Sequence, residues 1–330
     1  MGLRKHLTTI AILAVAIVLP FIFTDAYLRH ILVMTCIFAV MASGLNIAVG
    51  YMGEISLGHA AFFGIGAYTS ALLTLKLGQP VWLGWLAGIA LAGVVGFLIG
   101  YVSLSRTRGI PFAIITFGFG LVLWLLCQQW YDLTSGSYGL SKIPPPVIAI
   151  PLLPSIELRS PFLYYYLALA CLVFTIYLIR RLLKSRFGRA VVALRENRGL
   201  ASSVGIDALW NFVFAFTLSA ILTAFAGAMY AHHIRLISPA LLGMDYIFMM
   251  LIMVIVGGRG TLAGPILGAA IFVLVPEWLR VAERLRPVLL GIVFLVCIVL
   301  MPRGIYPALA ALWKSTLQRL QLRKKNREAI

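Results

Sequence analysis

The chain has 330 residues, of which 62% are hydrophobic and only 11% charged, with a mean hydropathy of +1.01. A soluble domain carries about 25% charged residues, so a water-facing enzyme, a disordered scaffold and a nucleic-acid-binding domain are all poor readings. In so apolar a chain, the net charge of +17 reads as a membrane-topology signal.

A spanning helix needs about 20 mostly apolar residues. In chain order, long stretches of this kind cover residues 7–23, 31–50, 81–105, 110–130, 162–179 and 211–231. Shorter ones cover 62–75, 246–256, 262–275 and 288–301. The expected fold is an all-α, polytopic transmembrane helical bundle of about ten spans, some broken at glycine, forming a single domain over 1–330. The first stretch follows Arg4 and Lys5. Thr24-Asp25-Ala26 is a poor cleavage site, so that stretch is expected to remain as the first helix rather than leave as a signal peptide. With the first residue in the cytoplasm and ten crossings, 19 of 27 basic and 4 of 10 acidic residues fall inside. The resulting balance, +15 inside and +2 outside, predicts both termini in the cytoplasm, where a basic tail at 313–330 would also lie.

Cys36, Cys127, Cys171 and Cys297 all sit in apolar runs without metal-ligand spacing, and read as small buried hydrophobes. His232-His233 at a helix end reads as an interface cap, and His59 as a packed polar residue. No metal site is expected.

Two loops stand out. Residues 131–161, on the outer side, carry Pro144, Pro145, Pro146, Pro151, Pro154 and Pro161. Proline fixes φ and removes a donor, so the segment is expected to be extended and stiff, either a connector or a docking surface. Residues 180–210, on the inner side, hold seven basic residues between Arg180 and Arg198. Read as one helix stopped by Gly205, this loop gathers Ala190, Ala193, Leu194, Asn197, Ala201 and Val204 on one narrow face. Arg195, Glu196 and Arg198 fall elsewhere. A stripe of small residues suits close approach by a partner protein. A basic helix lying on anionic lipid is the competing reading.

Two segments are rich in glycine. Residues 44–66 include Gly50, Gly53 and Gly58, and residues 257–268 include Gly257, Gly260, Gly264 and Pro265. Glycine permits close helix packing or a helix break. Glu54, Ser56 and His59 lie in the first break and Asn46 just before it, and polar groups at membrane depth often mark a pathway. The competing reading is a plain turn with a solvated Glu54. No Gly-Lys dipeptide occurs, hence no phosphate loop, and the chain cannot by itself be a P-loop ATPase. Neither H-E-x-x-H nor G-x-S-x-G is present.

Three of these segments carry a resemblance. Ser43-Gly44-Leu45-Asn46 running into Gly53-Glu54-Ile55-Ser56-Leu57-Gly58-His59-Ala60-Ala61-Phe62 resembles the first signature of the branched-chain amino-acid ABC permeases. The run from Gly257 to Ala269 resembles their second signature. Gly188-Arg189-Ala190, Ala193, Leu194, Arg195-Glu196 and Gly205-Ile206 are similar to their coupling loop. The long outer loop is closer to the M-type than to the shorter H-type. The match departs at Asn197-Arg198-Gly199, where the family has acidic residues, and at Ala201-Ser202, where it has paired alanines.

The resemblance implies a subunit of a bacterial inner-membrane importer, not an enzyme. It would pair with an H-type permease, two cytoplasmic ABC ATPases and a periplasmic substrate-binding protein. ATP would be used by the partner subunits, with no cofactor bound by this chain. The 180–210 loop would be the ATPase-coupling loop, and the glycine-rich segments would belong to the translocation path or gate. Alternatives are an ABC permease for urea, an amide or an aromatic acid, and an ion-coupled secondary carrier. The carrier would need buried acids that the spans lack.

Overall fold

A computed structural model describes residues 2–23, 25–148, 156–278, 291–292, 295–297, 299, 301, 304–309 and 311. The basic tail at 313–330, most of the 288–301 stretch, and Pro151 and Pro154 lie outside the described residues.

Each apolar stretch within the described residues falls on a helix. In chain order these are α1 (Gly2–Ile22), α2 (Ala26–Asn46), α3 (His59–Lys76), α4 (Val81–Arg106), α5 (Ile110–Gln129), the short α6 (Tyr131–Thr134), α7 (Pro161–Lys184), α8 (Arg186–Glu196), α9 (Arg198–Ser203), α10 (Ala208–Ile234), α11 (Met244–Gly257) and α12 (Gly264–Trp278). Helix α2 continues without interruption into a π-helical turn, Ile47–Met52, so its span runs two residues past the expected end. Among the described residues, five helices are long and apolar enough to cross a membrane: α2 with its π turn, α4, α5, α7 and α10.

Helices α2 and α10 form the buried centre, with α3 and α4 packed on α10 and α7 and α12 on α2. Small residues allow the closeness. A Cβ on Gly66 of α3 would lie 1.8 Å from the Ala224 carbonyl oxygen of α10, and one on Gly227 of α10 would lie 1.9 Å from that of Phe63. The two backbones therefore touch, as expected where lipid removes the hydrophobic drive and packing must hold helices together.

Successive long helices alternate in direction and leave two distinct ends. One end gathers α8, α9 and the turn between α4 and α5, and is termed the basic end. The opposite end carries the 131–161 loop. This loop is not simply extended. It opens with α6, and its strand β1 (Leu140–Ser141) pairs antiparallel with Leu236–Ile237, the strand that follows α10. A second two-residue pair joins Val147–Ile148 to Ile156–Glu157. Side chains pin the loop down: His232 Nδ1 donates to the Pro144 carbonyl at 2.7 Å, Arg235 Nε to Ile143 at 3.1 Å, and Trp82 Nε1 to Val147 at 2.9 Å. With Nδ1 donating, His232 Nε2 accepts from the Ser70 hydroxyl at 2.7 Å, so it caps an interface as its position in the sequence suggests.

Candidate functional site

The three motifs meet at the basic end. Asn46 closes α2 and is 2% exposed. Its amide reads the backbone of the second glycine-rich segment: Nδ2 donates to the Thr261 carbonyl at 2.9 Å, and Oδ1 accepts from Gly260 N–H at 2.9 Å. Both faces of the amide are used, so the two signatures are held in fixed register.

The π-helical turn after Asn46 brings Gly50 against this contact. A Cβ there would stand 2.1 Å from Asn46 Oδ1 and 2.4 Å from Gly260 N, so only glycine fits. Helix ends leave carbonyls without helical donors. That of Gly50 accepts from Arg195 Nη1 of α8 at 2.5 Å. Gly53 ends the helix with φ +82°, and a Cβ on it would meet Arg195 Cγ at 2.9 Å. Gly260, at φ +73°, lies under the same guanidinium. The Arg195 side chain thus passes over Gly53 and ends between Gly50 and Gly260. Its nearest acid, Glu196, is 3.8 Å away and largely exposed.

The second segment is stiffened from within. The Thr261 hydroxyl donates to the Gly258 carbonyl at 2.7 Å and accepts from Gly264 N–H at 3.0 Å, which starts α12 with Pro265 in its first turn. Gly257 at the end of α11 abuts the Gly264 carbonyl, closing α11 onto α12.

Residues 53–58 form a non-helical break in which Gly53 and Ile55 are exposed and Glu54, Ser56 and Gly58 are buried. Glu54 is 9% exposed, and its carboxylate accepts from Gly109 N–H at 2.7 Å, fixing the start of α5. Of the two readings, the chain does turn here, but Glu54 is not solvated: it faces a helix start, where a carboxylate is favourable. Leu57 N–H donates to Thr116 Oγ1 at 3.1 Å, and Gly58 lies against the Thr116 carbonyl.

His59 is 1% exposed. Its proton placement follows from its neighbours. Ser219 Oγ donates its only hydrogen to the Gly44 carbonyl at 2.6 Å, so it accepts from His59 Nε2 at 2.7 Å. In a site without a carboxylate partner the ring is neutral, and Nδ1 accepts from Ser56 Oγ at 2.9 Å. The chain Ser56–His59–Ser219–Gly44 ties the break to α10 and α2. His59 is thus packed, with both ring nitrogens hydrogen-bonded.

The 180–210 loop differs from the expected single helix. Asn197 leaves the helical region (φ −152°, ψ 103°) and N-caps α9 by accepting from Leu200 N–H at 3.0 Å. The one-face stripe is thereby split. Leu194 and Ala201 turn into the protein interior, while Ala193 and Val204 are exposed and Ala190 half-exposed. Gly205 follows α9 at φ +85°, as a helix stop. Gly188 packs against the end of α7, and Arg189 donates back to the Lys184 carbonyl at 2.6 Å. What remains open is a cleft of about 530 Å³ lined by Arg186, Arg189, Ala190, Ala193, Ile206 and Asp207, among others. Thr261, Ser219, Thr116 and Gly109 hold the site together and were not singled out by sequence. Among the described residues no cluster of three His, Cys, Asp or Glu could hold a metal ion.

A model of the family described as "Branched-chain amino acid transport system / permease component" matches residues 27–300, a range that contains all three motifs. The chain belongs to this family. It is 32% identical to the high-affinity branched-chain amino acid transport system permease protein LivM of Salmonella typhimurium, over 92% of this chain and 75% of that protein. It is 30% identical to LivM of Escherichia coli, over 98% of this chain and 78% of that protein. The LivH permease of Salmonella typhimurium is 27% identical over 71% of this chain and 79% of its own. The chain is thus a multi-pass membrane permease subunit and not an enzyme.

Proposed function

We propose that this chain is the M-type permease subunit of an ATP-driven importer of branched-chain amino acids in a bacterial inner membrane. Its basic end faces the cytoplasm, in line with the positive-inside rule. It pairs with an H-type permease, a reading supported by its similarity to both LivM and LivH relatives. Two ABC ATPases dock on α8 and α9, and a periplasmic binding protein delivers substrate at the end that carries the 131–161 loop. The chain binds no cofactor, and the ATP is used by the ATPases.

One observation carries the coupling assignment. Arg195 sits on the helix that an ATPase would push, and its side chain grips Gly50 and overlies Gly53 and Gly260. A displacement of α8 is thereby imposed on the ends of α2 and α11 and on the turn into α12. Packed elements with two arrangements switch rather than bend, so closure of the ATPases would repack these glycine contacts and open the path. Glu54 links the same movement to α5 through Gly109.

The docking cleft is tested by Ala193→Asp, which puts a charge on an exposed position without touching the core. The expected outcome is normal membrane insertion with loss of ATPase co-purification and of ATP-coupled uptake. Wild-type uptake and ATPase stimulation in this variant would overturn the assignment of α8.

A further inference from the structure

Helix α1 is tied to α7 near its C-terminal end. Pro20 lacks an N–H, so the Ala16 carbonyl, four residues earlier, loses its helical donor. The Tyr165 hydroxyl donates to it at 2.7 Å, and the Tyr166 hydroxyl donates to the Ile17 carbonyl at 3.1 Å. Phe21 and Phe162 meet edge to face at 5.4 Å. All these contacts lie in the half of the helix pair that is remote from the basic end.

Toward the basic end, an apolar groove of about 490 Å³ opens between Leu13 and Ile17 of α1 and Ala170, Val173, Phe174 and Tyr177 of α7. From Tyr166 to Tyr177 it follows about 16 Å of helix, roughly one leaflet of a hydrocarbon core about 30 Å thick. Its mouth is cationic. Arg181 Nη1 donates to the Tyr177 hydroxyl at 2.9 Å, and Arg180 and Lys184 flank it on the same turn. Helix α7 carries no acid. The bond to Tyr177 uses one of five guanidinium donors and leaves the others for an anion.

We propose that this groove binds one anionic glycerophospholipid of the basic-end leaflet, with an acyl chain along α7 and the phosphate on Arg181. The groove is bounded at its far end by the tyrosine and phenylalanine contacts and carries the basic residues of α7 at the other, which is the polarity of a single anionic lipid. This inference is independent of the substrate and of the ATPases.

The test is a native mass-spectrometric titration of the assembled transporter with phosphatidylglycerol and with phosphatidylcholine of the same acyl chains. Wild type is expected to hold one phosphatidylglycerol more tightly than phosphatidylcholine. Loss of one charge-assisted contact in Arg181→Gln should weaken phosphatidylglycerol about tenfold and leave phosphatidylcholine unchanged. Val173→Trp, which fills the groove, should weaken both. Arg108→Gln, an exposed basic residue on the turn between α4 and α5, should change neither. If Val173→Trp fails to fold, the two arginine variants decide. Equal effects of Arg181→Gln and Arg108→Gln would overturn the site in favour of diffuse charge. Crosslinking of a Val173→Cys variant to the second permease would overturn it in favour of a protein occupant.

Discussion

Gly50 and Gly118 show how differently two glycines in the same membrane domain behave. A methyl on Gly50 would collide with Asn46 and with the Gly260 backbone, whereas one on Gly118 of α5 would meet nothing within 4 Å. Overpacking a tight contact costs about 1–3 kcal/mol. Gly50→Ala is therefore expected to lower the thermal midpoint and to impair uptake, while Gly118→Ala should be neutral or slightly stabilising in a thermal-shift assay. Ser219→Ala leaves the buried His59 Nε2–H without its acceptor, whereas the Gly44 carbonyl keeps the Ile47 N–H. Such a buried group costs about 1–3 kcal/mol, and the loss should appear in the same assay. Asn46 was legible in the sequence because a polar group is unusual at membrane depth, and the glycines because they cluster in two short runs. Ser219 and Thr116 were not, because one hydroxyl in an apolar helix is indistinguishable from one that bonds its own backbone, as Thr217 does with Val213.

The α8–α9 pair shows where periodicity misleads. Residues spaced by three and four from 190 to 204 fit one helix, yet Asn197 breaks it, because its side chain makes a better cap for α9 than a helical link. An Asn followed by Arg-Gly-Leu is a capping signal that the apolar count overrides. The break decides which residues a partner can reach: Ala193 and Val204 stay exposed, and Leu194 and Ala201 do not. Asn197→Ala removes a cap worth about 1 kcal/mol. This variant is expected to leave the global thermal midpoint nearly unchanged and to reduce ATP-coupled uptake, because the two short helices lose their fixed angle. Unchanged uptake would show that the angle is irrelevant to coupling. The long spans, by contrast, were legible to within about five residues at their ends, since lipid demands both length and apolarity of them.

At the scale of the whole molecule, segments about 150 and 210 residues from the first signature converge on it: Arg195 on Gly50, and Gly260 on Asn46. The sequence marks each motif but not their meeting, which depends on α2, α8 and α11 ending at the same depth. In the proposed coupling, Arg195 transmits movement of α8 to the membrane helices. That claim is tested most directly by Arg195→Met in the reconstituted transporter, with uptake and ATP hydrolysis measured together. A hydrogen bond from a charged donor is worth roughly 1.5–3 kcal/mol, so uptake should fall about tenfold or more. The ATPases should still co-purify and hydrolyse ATP, because the Ala193 face is intact. Uptake per ATP at the wild-type level would contradict the account.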